Sequence, residues 1–253
     1  MNNSGFLVFT KREIYRFLVL YKQTIIPGLL SSLLYIIVFG STLGSRIDTI
    51  NGIKYINYII PGLTMMTILN QAYQNSASSI MQGKYLKFIE DILILPLSGF
   101  QIALGYIIGG AVRGLISGFG ILIICYFMTD FTINNYYLSI FYLFIVSWTF
   151  SAFGVIVGIY AKTWDAVGSF SNFIILPMTF LGGVFYSLDM LDPFWRNISY
   201  INPIYWMING LRHSTLGIAE TSILISLLIS ISFCLLFSFI ATLLFTTGYK
   251  IKS

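Results

Sequence analysis

The sequence predicts an all-α integral membrane protein with six membrane-crossing helices, and three observations predict it. Charged residues make up 9% of the chain and hydrophobic residues 57%, whereas a water-facing domain needs roughly 25% charged residues. Six long stretches, only one of them interrupted by a charge, follow one another along the chain. Each meets the requirement of roughly 20 apolar residues for a helix that crosses a bilayer. None alternates with period two like a membrane β-strand, and a backbone in lipid must satisfy its own hydrogen bonds, which leaves helices.

Residues 4–22 read as an amphipathic helix lying in the membrane interface. Phe6, Leu7, Thr10, Ile14, Phe17, Leu18 and Tyr21 form one stripe, and Lys11, Arg12 and Arg16 fall on the opposite arc, toward anionic headgroups. Five charged residues precede the first span and no small-residue cleavage site follows it, so the expectation is an uncleaved N-terminus. Spans are then expected near 23–45, 55–80, 100–128, 133–160, 167–188 and 221–247.

Two connecting segments are more than loops. Residues 82–97, within KYLKFIEDILILPLSGFQ, place Lys84, Lys87 and Asp91 on a polar side and Tyr85, Phe88, Ile89, Ile92 and Leu93 on an apolar one, with Glu90 beside Asp91. This fits either a helix lying flat on lipid or a docking element for a cytoplasmic partner. Residues 189–213, aromatic and broken by Asp192-Pro193 and Asn202-Pro203, run uncharged for only 15 residues from Asn197 to Leu211. That is too short to cross and too apolar for a free loop, so a re-entrant or interfacial helix pair is expected, covered by protein or lining a cavity.

Six spans put both termini on one side. With the termini inside, Lys11, Arg12, Arg16, Lys22, Lys84, Lys87, Lys162, Lys250 and Lys252 are cytoplasmic, and Arg46, Lys54, Arg196 and Arg212 are external. The excess of basic residues in cytoplasmic segments selects this orientation.

The chemistry is sparse. All nine acids fall in loops or at span ends, so no carboxylate relay for a secondary transporter is visible. No GxxxxGK[ST] phosphate loop occurs, so any ATP drive must come from a separate subunit. Arg113 is the one charge deep in a span; it is either a structural arginine satisfied by neighbouring carbonyls or a residue facing a hydrated cavity. Around it Gly105 and Gly109, and the series Gly110, Gly114 and Gly118, have the spacing that lets helices approach closely. Cys125 and Cys234 lie in apolar runs and read as packing residues. Asp189, Asp192, His213 and Glu220 share one side but match no metal-ligand spacing. No metal site and no nucleic-acid surface is expected.

The stretches IIPGLTMM, KYLKFIEDILILPLS, GYIIGGAVRGL, PMTFLGGVFYSLDMLDPFW and NPIYWMINGLR together resemble the permease subunits of ABC type-2 exporters, most closely the YadH/NodJ-like branch of bacterial permeases, over nearly the whole chain. One position departs: Asp192 stands where an apolar residue or proline is expected before Pro193.

The resemblance implies six helices per subunit, an N-terminal interface helix, a cytoplasmic coupling helix and external re-entrant helices before the last span. It also implies a permease dimer bound to two separate ABC ATPase subunits in the bacterial inner membrane. ATP and Mg are then held by the partner ATPase, with no cofactor and no catalytic site on this chain. Carried onto these residues, Lys84, Tyr85, Lys87, Phe88, Glu90 and Asp91 would form the coupling surface, with Lys162, Trp164 and Asp165 as a second contact. Pro177, Gly182, Gly183, Asn202 and Pro203 would shape the external gate. Relatives of this kind handle drugs, lipid-linked oligosaccharides and polysaccharides. The readings from other classes are a self-sufficient carrier or channel and a membrane enzyme using His213 with the external acids.

Overall fold

The computed structural model describes residues 3–248, which are helical apart from one short hairpin and its connecting turns. Lys250 and Lys252 lie outside the described residues.

The chain opens with α1 (Asn3–Val19), then α2 (Tyr21–Thr24) and α3 (Ile26–Thr42), which together make one long helix interrupted at Ile25. Pro27 in the first turn of α3 lacks the N–H that a continuous helix would use. A hairpin of β1 (Thr49–Ile50) and β2 (Ile53–Lys54) follows, turning on Asn51-Gly52, both at positive φ as a two-residue hairpin loop demands. The next elements are α4 (Tyr55–Tyr85), α5 (Ile89–Leu93), α6 (Gly99–Met128) and α7 (Tyr136–Tyr160). The last part comprises α8 (Trp164–Phe170), a π-helical turn (Ser171–Ile175), α9 (Leu176–Leu181), α10 (Pro193–Ile201), α11 (Pro203–Leu216) and α12 (Ile223–Thr247).

Among the described residues, four helical segments are long and apolar enough to cross a membrane: Tyr21–Thr42, α6, α7 and α12. The other two expected spans differ from the expectation, each for a physical reason. Helix α4 has ample length but carries Asn70, Gln71, Gln74, Asn75 and a run of serines. Its neighbours α3, α6, α7 and α11 surround it, so its polar groups face protein rather than lipid. The segment expected near 167–188 starts earlier and ends earlier, at Leu181. It is rewound over Ser171–Ile175, just before Pro177, which cannot donate to the preceding turn and leaves a carbonyl for the wider winding to accommodate.

Polar rungs and glycines tie α4 to its neighbours. Ser76 and Ser151 hydroxyls lie 2.7 Å apart, Ser151 donates to the Ile107 carbonyl at 2.7 Å, and Tyr73 donates to the Val167 carbonyl at 2.8 Å. The glycine series of α6 faces this seam. A Cβ on Gly110 would stand 2.8 Å from the Ala72 carbonyl oxygen, and one on Gly114 would meet Ser147 and Ala72. Gly105 and Gly109 serve a different approach, that of α1: Phe9 and Glu13 occupy the space their side chains would fill.

The apolar core has two parts. The larger runs through α4, α6, α7 and α11. The smaller closes the end of the bundle where α1, α5 and the last turns of α12 meet, around Phe9, Ile89, Ile92, Tyr106 and Phe245. That end is called the terminal end below, and the opposite one, with the β-hairpin and α10, the hairpin end.

Candidate functional site

At the terminal end the expected helix over 82–97 is not one helix. Helix α4 runs to Tyr85, Lys87 then takes φ +60, and helical winding resumes only over the five residues of α5. A residue in the left-handed region stops a helix as a C-terminal cap does. Pro96 lies between α5 and Ser98, and Ser98 opens α6 with a reciprocal capping box to Gln101.

The short helix is held from below. Ile89 and Ile92 are buried in the terminal core, while Tyr85, Lys87, Glu90 and Asp91 point outward and are exposed. Phe88 is half-buried beneath Arg12, whose guanidinium carbon sits 4.8 Å from the ring centroid. Lys84 does not belong to the exposed group: its ammonium donates to the carbonyls of Ile159 and, at 3.2 Å, Ala161. These carbonyls close the C-terminus of α7, where a positive charge is favoured. Burial pushes the Lys84 ammonium down to about 8. Lys162 in the adjoining turn and Trp164 and Asp165 at the start of α8 are exposed, and Thr163 caps α8 by accepting from the Ala166 N–H at 3.2 Å.

The interface helix is turned differently from its expected face. Phe9, Thr10, Glu13 and Phe17 are buried against protein, and Leu7, Val8, Lys11, Arg12, Tyr15 and Leu18 are exposed. Arg16, expected on the headgroup side, instead donates to the Asn75 carbonyl at 2.8 Å and to Asn75 Oδ1 at 3.2 Å. Thr10 and Phe17, assigned to the lipid stripe, are buried, Thr10 beside Gly105 of α6. The cause is Glu13: its carboxylate accepts from Ser79 at 2.6 Å and must keep a cation near it once buried.

Arg113 is held by two hydrogen bonds within the protein. Nε donates to Gln71 Oε1 at 2.7 Å and Nη2 to the Thr24 carbonyl at 2.9 Å, the carbonyl freed by the interruption before α3.

At the hairpin end the expected gate residues come together. Gly182 and Gly183 turn the chain after α9, Gly183 at φ +75, and the turn rests on α4 so closely that a Cβ on Gly62 would stand 2.7 Å from the Val184 carbonyl oxygen. Asn202 caps α11 by accepting from the Ile204 N–H at 3.0 Å and donates to the Met178 carbonyl at 2.5 Å, joining α9 to α11. Pro203 opens α11, where a missing N–H costs nothing. Pro177 is exposed on α9.

Beneath the turn lies a cluster that the sequence did not point to. Arg212 is fully buried; it donates to the Gly183 carbonyl at 2.6 Å, pairs with Glu220 at 3.4 Å, and stands 4.1 Å over the Tyr58 ring. Glu220 also accepts from the Tyr58 hydroxyl and, at 3.2 Å, from the Leu188 N–H. One ion pair thus joins α4, the turn after α9, α11 and the entry to α12. Asp189 pairs with Arg196 at 3.4 Å and Glu220 with Arg212, so these two acids are drawn to different cations rather than to His213.

Comparison with known proteins meets this architecture. The family described as ABC-2 type transporter matches residues 4–216, from α1 through α11. The chain belongs to this family. It is 36% identical to the inner membrane transport permease YadH of Escherichia coli (strain K12), over 96% of this chain and 94% of that protein. It is 24% identical to nodulation protein J of Rhizobium leguminosarum bv. viciae, over 77% of this chain and 75% of that one. For nodulation protein J of Rhizobium meliloti (strain 1021) the identity is 21%, over 77% and 74%.

As an ABC-2 type transporter the chain is a multi-pass membrane protein of the transport-permease kind, and its conspicuous polar features sort into two ends of one bundle. Sequence reasoning missed both buried ion pairs. Glu13 and Arg16 carried a signal, an i,i+3 spacing of opposite charges on one helix. Arg212 carried a weaker one, a lone charge ending an otherwise uncharged run.

Proposed function

We propose that this chain is the transmembrane permease subunit of an ATP-driven exporter, working as a homodimer with separate ABC ATPase subunits. It crosses the inner membrane six times, with α4 and the α8–α9 segment as the second and fifth passages and the terminal end in the cytoplasm. The observation that carries the reading is the construction of the terminal end in a chain of this family. Exposed Glu90 and Asp91 sit on the short helix α5, with Tyr85 and Lys87 exposed at the break before it, and its underside is locked into the core by Ile89 and Ile92, braced by Arg12 over Phe88. Such a rigid charged knuckle passes a push on its surface into α1, α4 and α6 rather than yielding to it. Lys162, Trp164 and Asp165 form a smaller contact beside it.

Between the two ends the α4 seam transmits the movement, and the Gly182–Gly183 turn, with α11 beneath, is the external gate. A ligand-driven change needs contacts that differ between states, and the Arg212–Glu220 pair is the contact that opening must break or rearrange. The windows of α3 and α12 that would lie in the membrane are only 17% and 11% buried, which leaves faces for lipid and for a second copy. The cargo class is an amphiphile, a lipid-linked glycan or a polysaccharide, since the described residues offer aromatic surface and no ring of charge.

The test is gentle extraction of the tagged chain from native membranes and mass spectrometry of what accompanies it. A soluble subunit with a phosphate-loop motif in equal amount supports the reading. Transport by the chain alone in liposomes refutes it. In the reconstituted complex, Glu90→Ala lowers coupled ATPase activity while His213→Ala leaves it unchanged.

A further inference from the structure

Where α1 crosses α6 and α4, five polar atoms are shut away from solvent without a hydrogen-bond partner: Thr10 Oγ1, Glu13 Oε1, Arg16 Nε, Asn75 Nδ2 and the Tyr106 hydroxyl. They occupy one place. A methyl group on Gly105 would stand 3.5 Å from Thr10 Oγ1. One on Gly109 would stand 3.5 Å from Asn75 Nδ2 and 2.8 Å from Glu13 Cβ. Tyr106 lies on the same turn of α6, its ring held edge-on by Phe9 at 5.1 Å and stacked on Phe245 at 5.7 Å. Glu13 and Tyr106 are 1% exposed and Asn75 is 0% exposed.

A buried polar atom left unpaired costs about 1–3 kcal/mol, so five together call for partners. The chemistry of the set says which. Arg16 Nε and Asn75 Nδ2 donate, Glu13 Oε1 accepts, and the hydroxyls of Thr10 and Tyr106 do either. Water, which joins about three such groups at a time, satisfies this mixture. A metal ion is disfavoured, because a single carboxylate stands beside a guanidinium, Arg16 Nε being 3.7 Å from Glu13 Oε2.

We propose that this buried polar cluster is an internal water and proton site, in which Glu13 takes up and releases a proton and so links the docking of α1 to pH. The proton comes from solvent water and settles on Oε1, the oxygen without a partner, while Oε2 keeps the Ser79 hydroxyl at 2.6 Å. The charged and titratable groups around it are Arg12 and Arg16 on α1, Tyr106 on α6 and, on the far side of Arg16, Arg113. Helix α4 contributes Asn75 and Ser79, neither of which titrates, and α12 contributes Phe245.

Burial raises the Glu13 carboxyl above its ordinary value, against the opposing pulls of Arg16, Ser79 and Arg12. The docked helix therefore holds the proton more tightly than an undocked one, and by linkage the proton favours docking. As pH falls from above the docked value toward the ordinary glutamate value, α1 binds more tightly; as pH rises through the docked value it loosens.

The experiment is an infrared titration of the full-length protein in nanodiscs of phosphatidylcholine, which carries no net charge. The expected result is a C=O band of a protonated carboxyl that appears on acidification above the ordinary glutamate range, shifts on transfer to D2O, and is missing from Glu13→Gln. Thermal unfolding gives an independent readout: the wild-type midpoint rises as pH falls over that range, and Glu13→Gln loses this slope. If Glu13→Gln does not fold, Tyr106→Phe is used, and a shifted midpoint of the band supports the site. A band unchanged in Glu13→Gln, a midpoint at or below the ordinary glutamate value, or a midpoint unmoved by Tyr106→Phe overturns it.

Discussion

Replacing Glu220 with alanine strands Arg212, a guanidinium that is 0% exposed. What remains to it is the Gly183 carbonyl at 2.6 Å and the face of Tyr58 at 4.1 Å. Removing one partner of a buried pair costs about 3–5 kcal/mol, because the other charge stays desolvated. Arg212→Met costs a similar amount. It leaves Glu220 with only the Tyr58 hydroxyl and the Leu188 N–H, and it deprives the Gly183 carbonyl of its donor. If the pair acts as one unit, Arg212→Met with Glu220→Ala loses much less than the two single losses added together. A coupling of about 2 kcal/mol, within the usual range for residues in contact, is expected. Reversible unfolding in mixed micelles of rising denaturing-detergent content, followed by tryptophan fluorescence, measures all four corners of the cycle. Losses that add within about 0.5 kcal/mol would show that Arg212 and Glu220 are not coupled and refute the reasoning.

Other outcomes follow from the same geometry. A Cβ on Gly154 would stand 2.4 Å from the Tyr73 carbonyl oxygen, so Gly154→Val forces α4 and α7 apart and costs about 1–3 kcal/mol or more, read by the same unfolding assay. Arg113→Lys cannot bridge Gln71 and Thr24 as a planar guanidinium does, and a buried acceptor left unpaired costs about 1–3 kcal/mol; thermal unfolding checks it. The Lys84 ammonium titrates near 8 in the folded chain against an ordinary 10.5. The unfolded chain therefore binds more protons between these values, and stability rises with pH across that window relative to Lys84→Met. Glu90→Ala, at an exposed position, changes the unfolding midpoint negligibly, surface substitutions staying within about 0.5 kcal/mol, so its effect on coupled ATPase activity is separable from folding.

The long apolar helices were legible, because a bilayer imposes one simple demand on a helix that crosses it, a run of roughly 20 apolar residues. Helices α6, α7 and α12 lie close to their expected limits for that reason. Helix α4 was legible as a long uncharged run, but its role as the central helix was not: Gln71, Asn75 and Ser76 are merely uncharged members of that run until Arg113, Arg16 and Ser151 are placed beside them. The same limit hid both buried ion pairs. Glu13 is recognisable as buried only through Ser79, and Arg212 only through Gly183 and Tyr58, contacts far apart in the chain. On α1 a helical wheel ranks residues by polarity, and it set Arg16 opposite the buried face because no wheel knows of a carboxylate that needs it. The break after Lys87 is a backbone event at a residue that rarely adopts positive φ, and no side-chain pattern announced it.

The polar make-up of α4 has a consequence for how the chain is made. A nascent helix leaves the insertion machinery for lipid one segment at a time, and it partitions readily only if it is apolar by itself. Tyr21–Thr42, α6, α7 and α12 meet that condition, whereas α4 does not. Since α4 is synthesised before α6 and α7, its amides lack the partners those helices bring, and the apolar helix already beside it is Tyr21–Thr42, through Ser32 and Thr67. The central helix of the finished bundle is therefore the last of the early segments to be free of its chaperoning surroundings.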